Sequence, residues 1–184
     1  MSNERNNETF SDLAVPLLGS LYNFAHWLSR DASAAEDLVQ ETYVKALRGF
    51  GTFQLGTNFR AWMFRILRNT WLTSKTGLAA RMTVPMEEDT PEPADEQTPE
   101  SVLLDNIARE TVEQAIEKLP PAYREVLLLC DVEEMSYADI AQTLDIPIGT
   151  VMSRLSRARK AVRETVQVEW RMAQSSGRSQ RSGT

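Results

Sequence analysis

Residues 136–163 read SYADIAQTLDIPIGTVMSRLSRARKAVR, and this stretch decides the fold. Ser136 and Asp139 form an S-x-x-D pair, the spacing at which a side-chain oxygen satisfies a free N–H of a helix's first turn. Ile140, Ala141 and Leu144 then supply one apolar face. Asp145 to Pro147 breaks the pattern, and a second helix is expected to begin near Ile148 to Thr150. There Val151, Leu155, Ala158 and Val162 recur at spacings of four, three and four, so they point inward. Gly149, Ser153, Ser156, Arg157 and Lys160 fall on the opposite side. Small and hydrogen-bonding residues come first on that face and cations follow. A recognition helix needs this order, because its first turns face base edges and its later turns meet phosphates.

Outward from this helix-turn-helix, the charge is distributed unevenly. The 184 residues carry a net charge of −6, unexpected for a chain with a DNA-reading helix. Residues 1–84 hold nine Lys/Arg against seven Asp/Glu, and residues 106–184 hold eleven of each. Residues 85–105 hold eight acids and no base, so nearly all the acidity lies in PMEEDTPEPADEQTPESVLLD. Rich in Pro, Glu, Asp and Thr, that segment has too little apolar surface to fold alone and is expected to be an extended linker. Apolar spacing elsewhere is helical almost throughout. The fold class predicted is all-α, with two small helical domains joined by a flexible acidic linker. Domains are expected at 10–84 and 102–172, the linker at 85–101 and a disordered polar tail at 173–184.

The first domain carries two amphipathic segments. In Glu36 to Leu47, EDLVQETYVKAL, the residues Leu38, Val39, Thr42, Tyr43 and Ala46 face inward. Asp37, Gln40 and Glu41 cluster opposite, a compact acidic face suited either to solvent or to a basic partner helix. In Asn58 to Lys75, NFRAWMFRILRNTWLTSK, a stripe of Phe59, Met63, Ile66 and Thr70 is expected to be buried. Arg65, Arg68, Asn69, Leu72 and Lys75 line another side, and Phe59, Trp62, Phe64 and Trp71 interleave with the arginines. Aromatic rings stack on unpaired bases and cations hold phosphates, so this composition suits single-stranded DNA; core packing with snorkelling arginines explains the same rings. The preceding loop, Phe50 to Asn58, contains two glycines and several small polar residues, and could shape a pocket for one extruded base.

Other chemistries find little support. His26 is the only histidine, and Cys130 is the only cysteine, set in the apolar run VLLLC and expected to be a buried structural thiol. Phosphate loops, paired catalytic carboxylates and metal-ligand spacings are missing, so no enzyme, cofactor or metal is expected. No apolar run approaches the roughly 18 residues of a membrane span, and MSNERNNETF lacks a signal-peptide order, so a cytoplasmic protein without membrane insertion is expected.

Together, AEDLVQETYVKAL and GTNFRAWMFRILRN in the first half, with LPPAYREVLLL and SYADIAQTLDIPIGTVMSRLSRARK in the second, resemble an extracytoplasmic-function (group IV) bacterial sigma factor. The resemblance spans roughly residues 10–170. It implies an alternative sigma factor that binds core RNA polymerase and directs promoter-specific transcription initiation, in a stress response. By position it implies polymerase docking through Asp37, Gln40 and Glu41. Phe53, Gln54, Thr57 and Asn58 would hold a flipped non-template base, and Arg65, Arg68 and Asn69 would face the minus-ten element. Thr150, Ser153, Arg154, Arg157, Arg159 and Lys160 would lie on the minus-thirty-five duplex. An anti-sigma factor is the further partner implied. GTNFRAW…RN with IPIGTVMSRL is most similar to members held by zinc-bearing, redox-sensitive anti-sigma proteins, although membrane-tethered ones control similar chains. The linker would either follow a basic polymerase channel or serve as a spacer. A response-regulator output domain shares the second half only, and a helical adaptor would not need the loop, aromatics and cations in this order. With both DNA-binding surfaces and the docking face expected to be exposed, no self-inhibiting contact is foreseen and restraint is expected from outside.

Overall fold

The computed structural model describes residues 9–79 and 101–179, and every regular element among them is helical. In chain order these are α1 (residues 9–14), a 3-10 turn at Val15–Leu17, α2 (Leu18–Ser29), α3 (Ala32–Gly49), a 3-10 turn at Phe50–Thr52 and α4 (Phe59–Ala79). After these come α5 (Ser101–Glu117), α6 (Pro121–Leu127), a π-helical turn at Leu128–Val132, α7 (Tyr137–Leu144) and α8 (Ile148–Ser179). The acidic linker expected at 85–101 lies outside the described residues except for Ser101, which opens α5. The backbone of 173–179, expected to be disordered, continues α8; its glycine comes late, at Gly177, and no proline interrupts the run.

Two compact units account for the chain. One combines Met1–Thr83 with Glu125–Ser153, the other Val84–Arg124 with Arg154–Thr184. In the first unit, α2 and α3 meet at a tight corner. Arg30 ends α2 in the left-handed region (φ 60°), with its N–H donating to the His26 carbonyl at 2.8 Å. Asp31 then caps α3, its carboxylate accepting from the Ala34 N–H at 2.6 Å. This cap starts α3 four residues ahead of the stretch recognised by apolar spacing, because Ala32, Ala34 and Ala35 extend the helix readily. Leu38, Val39, Thr42 and Ala46 are buried as expected. The Tyr43 phenol donates to the Ala14 carbonyl at 2.6 Å, tying α1 to α3, and burial pushes its pKa up.

On α4, Met63, Phe64 and Leu67 are wholly buried, as are Leu21 and Ala25 of α2, with Phe24 1% exposed. The Phe24 and Phe64 rings meet edge to face at 5.4 Å. The buried stripe is therefore wider than Phe59, Met63, Ile66 and Thr70. Phe64 belongs to the core rather than to an aromatic reading surface, and Ile66 is only half-buried. Each fully buried side chain of this size contributes about 1.5–3 kcal/mol.

In the second unit, Ala115, Leu119, Leu155 and Ala158 are buried, and so is Arg124, at 8% exposure. Its guanidinium donates to the carbonyls of Ile116 (3.2 Å), Leu119 (3.1 Å) and Glu117. Ile116 and Glu117 close α5 and Leu119 follows it; the Ile116 carbonyl also accepts from the Leu119 N–H at 3.1 Å. Arg124→Ala would remove three charge-assisted hydrogen bonds at a buried position, and should lower unfolding free energy by about 3 kcal/mol in urea denaturation. Lys118→Ala, which removes only the exposed 3.3 Å pair with Glu169, should change it by less than about 0.5 kcal/mol.

Candidate nucleic-acid interface

Between α3 and α4 the chain builds a cleft. Phe53, in extended conformation after the 3-10 turn, lies on a cluster of rings: 5.2 Å from Phe59, 5.0 Å from Trp62, and stacked on Phe50 at 6.0 Å. Gly56 follows at φ +92°, a conformation that L side chains rarely adopt, and turns the loop back towards α4. The Thr57 hydroxyl closes the turn on the Gln54 carbonyl at 2.7 Å. Asn58 caps α4, its Oδ1 accepting from the Ala61 N–H at 3.0 Å.

The cleft is open to solvent and has a volume of about 300 Å³, at the small end for ligand pockets and enough for a single base. Phe53, Gln54, Thr57, Asn58 and Arg65, all named from the sequence, line it together. Trp62 lines it too, half-buried against the rings, so its packing and its exposure to the cleft coexist. With Oδ1 of Asn58 engaged in the cap, its amide nitrogen still carries two donors. Asn69 is exposed on α4 outside this lining.

Arg68 departs from expectation. Its Nε donates to Glu125 at 3.1 Å and a terminal nitrogen to the Leu144 carbonyl at 3.4 Å. Arg60 pairs with Glu133 and lies over the Phe64 ring, 5.6 Å from its centroid. The Thr143 hydroxyl donates to the Ala61 carbonyl at 3.4 Å, and Gln142 adds a wall to the cleft. The expectation of an uncovered α4 without self-contact is thus corrected. Glu125 and Glu133, with side chains each 4% exposed, are functional candidates that spacing does not single out; Glu125, directly before the apolar run VLLLC, is the one signal the sequence offers. Cys130, expected to be buried, is half-buried within the π-helical turn.

Asp37, Gln40 and Glu41 are exposed together on α3, as expected. Glu41 pairs with Lys45 at 2.7 Å, an exposed i,i+4 bridge worth about 0.3–0.5 kcal/mol. Val44 (47% exposed) and Leu47 (45%) continue the same side of α3, giving the acidic face an apolar border.

In the helix-turn-helix, the Ser136 hydroxyl oxygen accepts from the Asp139 N–H at 3.1 Å and donates to its carboxylate at 2.7 Å, as the spacing predicted. Asp145 makes the turn in the left-handed region (φ 55°), and the Pro147 carbonyl accepts from Thr150 and Val151 to start α8 at Ile148. Along α8, Val151, Leu155 and Ala158 are buried; Ser153, Arg157, Arg159 and Lys160 are exposed; Thr150, Arg154 and Val162 are half-buried. Arg157 reaches the Tyr123 hydroxyl at 3.5 Å, and Lys160 pairs with Glu164 at 3.8 Å, both weak contacts at an exposed surface. Among the described residues no group of three or more His, Cys, Asp or Glu could hold a metal, and no helix is long and apolar enough to cross a membrane.

Comparison with known proteins agrees with this arrangement. The sigma-70 region 2 family matches residues 13–80, and sigma-70 region 4 matches residues 109–162. The RNA polymerase sigma-H factor of Pseudomonas aeruginosa is 37% identical over 162 residues, covering 82% of this chain and 80% of that protein. The extracytoplasmic-function sigma factor SigE of Mycolicibacterium smegmatis is 35% identical over 146 residues, which cover 78% of this chain but only 56% of that relative. Among solved structures, the sigma factor RpoE of Bartonella quintana, in complex with the anti-sigma factor NepR, superposes with a TM-score of 0.70. It is 32% identical, over 86% of this chain and 98% of that one. The chain belongs to the sigma-70 family of transcription initiation factors, among its extracytoplasmic-function members.

The cap uses the side-chain oxygen of Asn58 alone. Asn58→Ala should cost about 1 kcal/mol of stability and Asn58→Asp almost nothing, because a carboxylate also caps. Thermal unfolding of the two variants beside the parent protein measures the difference.

Proposed function

We propose that this chain is an alternative sigma factor that docks on core RNA polymerase, opens promoters at the minus-ten element and reads the minus-thirty-five element, as part of a stress response in the cytoplasm. The observation that carries the reading is the convergence of Phe53, Gln54, Thr57, Asn58 and Arg65 on one base-sized cleft beside a helix of cations. Capture of a flipped base there offsets the few kcal/mol that unstacking costs, so strand opening needs no catalytic group. Arg65, Arg68 and Asn69 would hold the strand at the upstream edge, which requires Arg68 to exchange Glu125 for DNA.

The first domain, 10–84, supplies the docking face and the cleft, and 102–172 supplies the minus-thirty-five reader; 85–101 connects them. On α8, Ser153 and Arg157 face the bases, with Thr150 at the start of the same side. Arg154, Arg159 and Lys160 reach phosphates. Asp37, Gln40 and Glu41, bordered by Val44 and Leu47, offer a polymerase helix both charge and apolar area. Binding to one enzyme at fixed spacing lets two modest DNA affinities combine. An anti-sigma factor is a further partner, a reading supported by the relative from Bartonella quintana solved with one.

Replacing Phe53, Gln54, Thr57 and Asn58 by alanine should abolish promoter melting, read by permanganate footprinting with core enzyme. Normal melting in this variant would overturn the role of the cleft. Glu41→Arg should weaken capture of core polymerase at least tenfold, about 1.4 kcal/mol or more, while helicity by circular dichroism stays unchanged. Arg157→Ala should lose run-off transcription by the equivalent of about 1–3 kcal/mol at promoters with an intact minus-thirty-five element. Unimpaired output would remove Arg157 from the reading face.

A further inference from the structure

We propose that Met152 is a specificity residue of the recognition helix, and that it reads the 5-methyl group of one thymine in the minus-thirty-five element. The inference deepens the reading of α8 as the minus-thirty-five reader and rests on it. Met152 is 54% exposed and Ile148 51%, two large apolar side chains left in water on the first two turns of α8. Four residues apart, they are neighbours on the helix surface and form one apolar ledge. The core beneath is already closed by Val151, wholly buried, and Leu155, at 2% exposure. On its outward side Met152 is bordered by Gly149 and Ser156, both short, and a Cβ added at Gly149 would meet nothing within 4 Å. The thioether therefore stands clear of the surface around it.

Single exposed apolar residues are ordinary on a protein surface; the surroundings of this ledge select its occupant. From Ile148 to Arg163 the helix carries Arg154, Arg157, Arg159, Lys160 and Arg163 and no acid, a field that draws a polyanion. Two side chains are far too little for a stable protein interface, which buries roughly 800 Å² on each partner. They match a methyl group, and in the major groove the thymine methyl is the apolar group on display. Ser153 cannot take this role. Its hydroxyl donates to the Thr150 carbonyl at 3.1 Å, leaving lone pairs that accept from an amino group, whereas a thymine edge offers an acceptor and a methyl. Thymine recognition at this end of the helix thus falls to the flexible, polarisable side chain of Met152.

The test uses the full chain assembled with core polymerase and promoter duplexes randomised over the minus-thirty-five segment, from which bound sequences are selected. The selected duplex should contain a thymine whose replacement by deoxyuridine, which removes only the methyl, weakens binding about fourfold. Met152→Ala should bind the thymine and deoxyuridine duplexes equally, and Met152→Leu should restore most of the difference. Both variants change an exposed side chain, and circular dichroism should show their helicity unchanged. Selection of no thymine, or an equal deoxyuridine loss in the parent chain and in Met152→Ala, overturns the methyl contact. Arg157→Ala separates this failure from a wider one. Where the selected sequence depends on Arg157 and the deoxyuridine effect ignores Met152, the methyl contact alone is wrong. Where selection enriches no sequence at all, the minus-thirty-five reading of α8 fails and the methyl contact fails with it.

Discussion

Met63, Phe64 and Leu67 are removed completely from water on α4, and their burial sets the rotation of that helix about its own axis. Once the apolar side is committed to the core, the 100° step between successive residues fixes where the remaining side chains emerge. Arg65 projects at the cleft, Arg60 and Arg68 emerge beside it, and Asn69 remains in solvent. The ring cluster of Phe50, Phe53, Phe59 and Trp62 continues the core to the surface and gives the cleft a rigid aromatic floor. Site geometry is thus inherited from core packing. A substitution that loosened the Phe24–Phe64 contact would disturb a cleft that neither ring lines.

Charge is organised on the same principle of double use. The net −6 of the chain is concentrated in residues 85–105, but the acids with structural consequence are the isolated ones. Glu41 holds Lys45 on the exposed side of α3, and Glu125 and Glu133 hold arginines of α4. An acidic balance and a DNA-reading surface are compatible because basic groups that would bind any duplex are partly occupied, which lowers sequence-independent affinity.

Much of this was legible in the sequence. The Ser136–Asp139 cap, the Val151–Leu155–Ala158 stripe and the inward side of α3 follow from spacings of three and four, which are local and survive without tertiary knowledge. Five residues of the cleft could be named in advance because loop and helix are contiguous. What spacing could not show were partners remote in sequence. Arg60 meets Glu133 across 73 residues, and Arg68 meets Glu125 across 57. Spacing leaves Phe64 open between core and aromatic surface because a helix this apolar offers two plausible stripes, and only the packing of Phe24 against it decides between them.

The π-helical turn at Leu128–Val132 bears on how such a chain can vary. The Glu133 N–H donates to the Leu128 carbonyl, five residues back, so one residue more than an α-helix needs is stored in this turn. Removing one residue there would return the coil to α-helical phase and swing position 133 round by about 100°. The acid would still be present in the sequence yet aimed elsewhere. Length within these five residues, more than identity, therefore governs whether this segment can engage Arg60, and relatives that differ here by a single deletion would carry the same acid to a different purpose.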